Sequence, residues 1–287
     1  MQEKIQIAKT LIDAFPFIKM FRDQIVVIKY GGAAQIDPIL KEKFAKDITL
    51  MYLVGIKPVI VHGGGKKINE MLERLDIETE FKDGQRVTSR ENMEIVEMVL
   101  SGSINKEITS ILNHHGAKAI GISGKDANFI KARAKDREKF GYTGNITEID
   151  AKVLLNLIDE KFIPVIAPIA TGENVGDLGF NINADLAASK IAVSLKAKKI
   201  IFMTDTAGVL DKDMSLISTL YRKDIDMLIK DGTIQGGMIP KVDACSESIN
   251  GGVEKAHIID GRVDHSMLLE LFTSDGIGTV IKKKEEK

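Results

Sequence analysis

Short runs of apolar, mostly β-branched residues alternate with longer stretches whose apolar positions recur every three or four residues. The short runs cover 25–29, 57–62, 117–122, 163–168, 199–204 and 256–260, and their near-continuous apolarity predicts strands buried on both faces. Between them the helical period predicts helices near 38–54, 66–75, 89–114, 150–160, 184–196, 223–230, 240–250 and 264–272. The 89–114 helix opens on Thr88-Ser89-Arg90-Glu91, a capping-box spacing. Such alternation predicts an α/β fold, with a mostly parallel central sheet covered by helices on both faces. Residues 125–149 break the rhythm and predict a small β excursion on one edge. The glycine-containing stretch 171–179 marks a boundary between two lobes, 23–175 and 176–287. Residues 1–22 predict an extra amphipathic helix, with Ile5, Ala8, Leu11, Ile12, Phe15 and Ile18 on one face. Periodicity alone predicts that this face caps its own domain.

Composition narrows the class. An apolar share of 44% and a charged share of 28% are those of an ordinary globule, which excludes wholesale disorder. A formal net charge of −1 removes the electrostatic footprint of a nucleic-acid binder. No run of eighteen apolar residues predicts a membrane span, and Lys4, Lys9, Asp13, Lys19 and Arg22 interrupt the N-terminal apolar positions that a targeting signal would need. The lone Cys245 excludes an internal disulfide and suits a reducing, cytoplasmic location. Five histidines without HExxH spacing, and no CxxC, predict no protein-held metal. The terminal "KKKEEK" reads as a solvated end.

The candidate chemistry gathers where strands end. Lys29-Tyr30-Gly31-Gly32 follows the first strand, and His62-Gly63-Gly64-Gly65 follows the second and leads into a helix. Ligands in such sheets collect beyond the carboxyl ends of the strands, and a glycine turn entering a helix offers backbone N–H groups to an anion. A plain tight turn explains the glycines equally well. GxxxxGK[ST] and GxGxxG are both absent, so any phosphate must be held by a different cradle. "GQRVT" puts Arg86 in a turn after Gly84, as a carboxylate clamp or a solvated arginine. "NINADLAAS" offers Asn181, Asn183 and Asp185 at a helix start, where a single one of them would suffice as a cap. "GGMIPKVDA" puts Pro240 at a helix start and Lys241 in its first turn, where the helix dipole disfavours a cation unless an anion offsets it. Two lysines, an aspartate, an arginine and glycine-rich backbone donors form the kind of set phosphoryl transfer needs.

In order along the chain, "IKYGG", "VHGGG", "GQRVT", "MEIVEMVLSGSINKEI", "NINADLAA", "TDTAGVL" and "GGMIPKV" resemble the motifs of the acetylglutamate kinases of the amino acid kinase superfamily, over about residues 25–282. The resemblance implies ATP-dependent phosphorylation of the side-chain carboxylate of N-acetyl-L-glutamate, the second step of arginine biosynthesis. It implies that Lys29 and Lys241 stabilise the transition state with Asp185 organising both. Gly64, Gly65, Arg86 and Asn181 would hold acetylglutamate. Gly31, Gly32, Asp205, Gly208, Leu210, Thr233 and Gln235 would contact the nucleotide, with Mg2+ arriving on ATP. The first lobe would then bind substrate and form dimers, and the second would bind nucleotide. Ala33 stands where many members carry Ser or Asn, and Ala207 where several place an acid.

Arginine-inhibited members are similar to this chain in having an N-terminal extension, which interlaces dimers into a hexameric ring, a trimer of dimers. That implication replaces the self-capping expectation for the first helix. The segment "HSMLLELFTSDGIGT" is similar to their effector site, where Glu270, Gly276 and Gly278 would bind L-arginine beside an aromatic residue, Phe17 here where a tyrosine is common. Two rivals follow from the same residues: another carboxylate or carbamate kinase of the superfamily, which the pairing of Arg86 with Asn181 disfavours, and a non-catalytic arginine-responsive protein, which retention of both lysines and Asp185 disfavours.

Overall fold

The apolar runs become strands and the amphipathic stretches become helices packed on both faces of one sheet. In the computed structural model, which describes residues 1–82, 84–174 and 176–283, the chain begins with α1 (Gln2–Phe21), β1 (Ile25–Tyr30), α2 (Pro38–Leu53), β2 (Lys57–His62) and α3 (Gly65–Arg74). A short hairpin of β3 (Glu80–Lys82) and β4 (Gln85–Val87) leads to α4 (Arg90–Glu97), a π-helical segment at Met98–Ile104, and α5 (Asn105–His114). Then come β5 (Ala119–Ser123), β6 (Ile130–Ala134), α6 (Arg137–Phe140), β7 (Gly144–Ile149), α7 (Ala151–Asp159), β8 (Ile163–Ala167) and β9 (Ile169–Ala170). The order continues with β10 (Phe180–Asn181), α8 (Ala184–Ser194), β11 (Lys199–Thr204), β12 (Thr219–Tyr221), α9 (Arg222–Lys230) and α10 (Met238–Asn250). It closes with β13 (Lys255–Asp260), α11 (Ser266–Phe272) and β14 (Thr279–Lys282).

Eight strands form the sheet in the order β12-β14-β13-β11-β1-β2-β8-β5, and every neighbouring pair is parallel except β13 with β14. Strands from residues 25–167 supply one side of the sheet and strands from residues 199–282 the other, with β1 meeting β11 between them. Side chains alternate across a strand, so β1 splits its residues between two cores. Ile28 and Tyr30 pack with Phe44, Ile48 and Leu112 on one face, and Val27 packs with Ala188, Ile191 and Val242 on the other. Lys29 shares the face of Val27 and thus the side of α8. The sequence therefore sends one ammonium towards one particular helix.

The expected helix 89–114 runs without a gap from Arg90 to His114, but its middle, Met98–Ile104, is π-helical. Ser89 rather than Thr88 caps its start, accepting the Asn92 N–H at 3.0 Å. Arg86 lies in a strand, not a turn, and residues 125–149 contain the antiparallel β6–β7 hairpin. The self-capping expectation for the first helix fails along most of its length. Ile5, Leu11, Ile12 and Phe15 are 48%, 65%, 71% and 62% exposed, and burial begins only towards Phe21. No described helix is long and apolar enough to cross a membrane. Of the charged end, residues 284–287 lie outside the described residues.

Candidate active site

A lysine at the end of a buried strand needs a partner. Lys29 Nζ lies 3.1 Å from Asp185 Oδ1, and Lys241 Nζ donates to Asp185 Oδ2 at 3.0 Å. Asp185 sits in the first turn of α8, whose cap is Asn183: its side-chain oxygen accepts from the Asp185 and Leu186 N–H groups. Capping thus uses only Asn183 and leaves Asp185 for the lysines. Burial works to raise the Asp185 pKa, but Lys29 and Lys241 outweigh it and hold the carboxyl down at about 2. Helix α10 starts at Met238, two residues before the expected Pro240, and still places Lys241 in its first turn. Two cations around one anion leave this buried point with an excess positive charge, which an incoming anion would neutralise.

The glycines make room beside that charge. A Cβ on Gly31 would lie 2.9 Å from Lys29 Nζ. Gly32 has φ +72°, and a Cβ there would strike the Asp205 carboxylate, which accepts the Ala33 N–H at 2.6 Å. A Cβ on Gly64 would meet Leu100 Cδ2 at 2.6 Å and also Ile104. Lys29, Gly31, Gly32, Gly64, Gly65 and Asp205 all line a cavity of about 540 Å3, whose wall includes Phe44, Ile108 and Leu112. At its rim Glu107 pairs with Lys41 at 2.5 Å and Lys67 at 3.2 Å. The N-terminus of α3 opens here with no side-chain cap, so its first N–H groups remain for a ligand.

Arg86 is buried on β4. Its guanidinium donates to Thr79 Oγ1 and Asn69 Oδ1, reaches the Gly65 carbonyl at 3.4 Å and lies 4.7 Å from the Phe81 ring centre. Burial lowers its pKa from the ordinary arginine value. Asn181 Nδ2 donates to Thr88 Oγ1 at 3.1 Å; Thr88 bonds Thr143 Oγ1 at 3.0 Å, and Thr143 donates to the Arg86 carbonyl at 2.5 Å. Arg86 and Asn181 are therefore joined through Thr88, which the sequence offered only as part of a capping box, and Thr143, a buried threonine just before β7 that carries no signal of its own.

Among the residues expected at the nucleotide, Gly31, Gly32 and Asp205 meet at the cavity, whereas Gly208, Leu210, Thr233 and Gln235 do not line it. Gly208 adopts φ +150° where a Cβ would meet Leu216 at 2.7 Å, and the adjacent Val209 N–H is held by Thr279 Oγ1 at 2.8 Å. Thr233 N–H donates to Asp231, and Gln235 accepts from the Met238 N–H at the start of α10.

A second charged cluster lies on α11. Glu270 is buried: one carboxylate oxygen contacts His257 Nδ1 and stands 3.7 Å from Lys199 Nζ, while the other accepts the Ile277 N–H at 3.1 Å. Gly276 has φ +62°, and a Cβ there would come within 2.8 Å of that carboxylate, while one on Gly278 would strike the Ile258 carbonyl. Burial draws Lys199 down to about 8 against the opposing pull of Glu270, and burial also lowers His257. Glu270, Gly276 and Gly278 thus come together as expected, and Lys199 and His257 join them. The aromatic ring over Lys199, at 5.0 Å, belongs to Phe21, one helical turn beyond the expected Phe17.

A two-lysine, one-carboxylate centre on a parallel sheet defines a class. The sequence model described as the amino acid kinase family matches residues 24–260, and the chain belongs to that family. Within it the chain stands among the acetylglutamate kinases: it is 70% identical to that of Nitratiruptor sp., over 98% of this chain and 99% of the relative. It is 68% identical to that of Sulfurimonas denitrificans, over the same shares. A solved structure of N-acetylglutamate synthase from Neisseria gonorrhoeae, complexed with coenzyme A and N-acetyl-glutamate, is similar at 26% identity and a TM-score of 0.85. That similarity covers 97% of this chain, which spans 64% of the synthase chain. Carbamate kinase from Giardia lamblia, at 20% identity and a TM-score of 0.68, shares the fold.

Proposed function

We propose that the protein transfers the γ-phosphoryl group of ATP to the side-chain carboxylate of N-acetyl-L-glutamate, giving N-acetyl-L-glutamyl 5-phosphate and ADP in arginine biosynthesis. The observation that carries this reading is the Lys29–Asp185–Lys241 centre beside the glycine turns, in a chain so similar to acetylglutamate kinases. A carboxylate oxygen attacks phosphorus, a new O–P bond forms, and the bond to the β-phosphate oxygen breaks. The attacking glutamyl carboxylate is already ionised at neutral pH, so no general base is required. Asp185 suits this, being fully occupied by two ammonium groups. Lys29 and Lys241 stabilise charge on the transferring group, and Asp185 sets their spacing.

Arg86 pairs a substrate carboxylate, Asn181 and the backbone of Gly65 hold the rest of acetylglutamate, and the Gly64 backbone meets it at its reacting end, where the phosphoryl group arrives. Gly31, Gly32 and Asp205 face the phosphates, and the Gly208–Leu210 and Thr233–Gln235 segments take the nucleotide further out. Residues 23–175 act as the substrate lobe and 176–287 as the nucleotide lobe. Magnesium fits as part of the nucleotide, because both Asp185 oxygens face lysines; when bound it would supply neutralisation of the phosphate charge. The test is ATP consumption by the wild type with acetylglutamate, aspartate or carbamate as acceptor, and only acetylglutamate is expected to support it.

The exposed apolar face of α1 supports assembly of dimers into a hexamer. Light scattering is expected to give a hexamer for the full chain and a smaller, active species after deletion of residues 1–22. A dimer in both cases would contradict this.

The Glu270 cluster supports inhibition by L-arginine. Its carboxylate suits a guanidinium, and the lysine and turn backbone suit the ligand's carboxylate. Phe17 lacks the hydroxyl of a tyrosine, whose hydrogen bond is worth about 0.5–1.5 kcal/mol, or roughly three- to tenfold in affinity. An arginine titration should therefore show inhibition of the wild type, stronger inhibition of Phe17→Tyr and none of Glu270→Ala. Absence of inhibition in wild type at millimolar arginine would remove the effector role and leave the kinase reading standing.

A further inference from the structure

The Gly63–Gly64 peptide at the end of β2 is held from several sides. The Gly63 carbonyl accepts from Gln35 Nε2 at 2.8 Å and from His62 Nδ1 at 2.9 Å, and the preceding peptide is fixed separately, its Gly63 N–H donating to the Tyr30 carbonyl at 2.9 Å. Gln35 ends the 3-10 turn Gly32–Gln35, so one side chain ties the two glycine turns together. His62 is fully buried, and burial brings its pKa down to about 4, so the ring is neutral and carries a single N–H. With Nδ1 facing a carbonyl oxygen, that proton sits on Nδ1 and leaves Nε2 as an acceptor. Asn105 Nδ2 fills that need at 3.2 Å and also donates to the Val165 carbonyl at 2.8 Å. The π-helical Met98–Ile104 ends directly before Asn105 and presses Leu100 and Ile104 against Gly64. Such segments recur at functional sites.

A peptide between two glycines flips easily, because neither residue has a Cβ to resist. Here the two orientations are not equivalent. The peptide is trans, so the Gly64 N–H points away from the Gly63 carbonyl. That N–H has no acceptor among the described residues, and Gly64 lines the cavity that Lys29 enters. A flipped peptide would turn a carbonyl oxygen towards an anionic ligand instead.

We propose that Gln35, His62 and Asn105 are positioning residues for phosphoryl transfer: they lock the Gly63–Gly64 peptide so that the Gly64 N–H faces the transferring group. The inference rests on the kinase reading above. The lock acts when charge grows on the phosphoryl oxygens, so its loss lowers kcat more than it raises either KM.

The test compares wild type with Gln35→Met, which keeps length and removes the amide donor on a half-buried side chain. His62→Leu removes both ring nitrogens, and His62→Asn keeps a donor near the Nδ1 position. Turnover, both KM values and melting temperature are measured, together with affinity for ADP–aluminium fluoride plus acetylglutamate and for a non-hydrolysable ATP analogue. Gln35→Met is expected to melt like the wild type, with kcat down about ten- to a hundredfold and each KM within about twofold. Affinity for the fluoride mimic should fall in parallel while that for the ATP analogue holds, and His62→Asn should recover part of what His62→Leu loses. If wild type turns over acetylglutamate and Gln35→Met matches it in kcat and mimic affinity, the lock is overturned alone. Equal losses of mimic and ATP-analogue affinity would also overturn it. A wild type with no acetylglutamate-dependent turnover overturns the kinase reading and the lock together.

Discussion

Lys29→Ala and Lys241→Ala are each expected to lower turnover by at least about 10²–10³-fold, the usual effect of removing one preorganised charge donor. The geometry says why the loss falls on the chemical step. Both ammonium groups are fixed by one buried carboxylate before any ligand arrives, at 3.1 and 3.0 Å, so no reorganisation is needed as charge develops. Each alanine leaves Asp185 with a single partner and brings the site to charge balance, so the pull on the transferring phosphoryl group is lost. The KM values should move much less, because Arg86, Asn181 and the glycine backbone remain. Steady-state kinetics on purified variants check this, and near-normal turnover in either variant would remove that lysine from the chemistry.

Arg86→Lys should raise the KM for acetylglutamate about tenfold or more while changing that for ATP little. Lysine keeps the charge but loses the planar fork that grips a carboxylate with two bonds. The structure adds a reason for a large effect. The guanidinium is oriented by Thr79, Asn69 and the Phe81 ring, contacts that a flexible ammonium cannot reproduce together. Equal changes in both KM values would make Arg86 a structural residue of the β3–β4 hairpin.

The residues legible in the sequence are those that break an electrostatic expectation. Lys29 in an apolar strand and Lys241 at the positive end of a helix each demand an anion, and both find Asp185. Lys199 poses the same question, but at the first position of its strand a lysine reads as solvated. In the structure β11 is buried from its first residue, and Glu270 answers the charge. Gln35, His62, Asn105, Thr88 and Thr143 are neutral polar residues with unremarkable local propensities, and their roles exist only as pairings across the fold. The strand–helix alternation gave the sheet its parallel core, whereas β12 and β14 are too short to show a period. The π-helical segment escaped notice because one wider turn barely disturbs an apolar pattern spread over several turns. For α1, periodicity revealed an apolar face but not what would cover it.

The most direct measurement is detection of the acyl phosphate itself. Wild-type protein is incubated with ATP, Mg2+ and N-acetyl-L-glutamate, and hydroxylamine traps any acyl phosphate as a hydroxamate. The account predicts hydroxamate formed in step with ADP, dependent on acetylglutamate and abolished in Lys29→Ala. ADP release without hydroxamate, or hydroxamate formed equally well by Lys29→Ala, would contradict it.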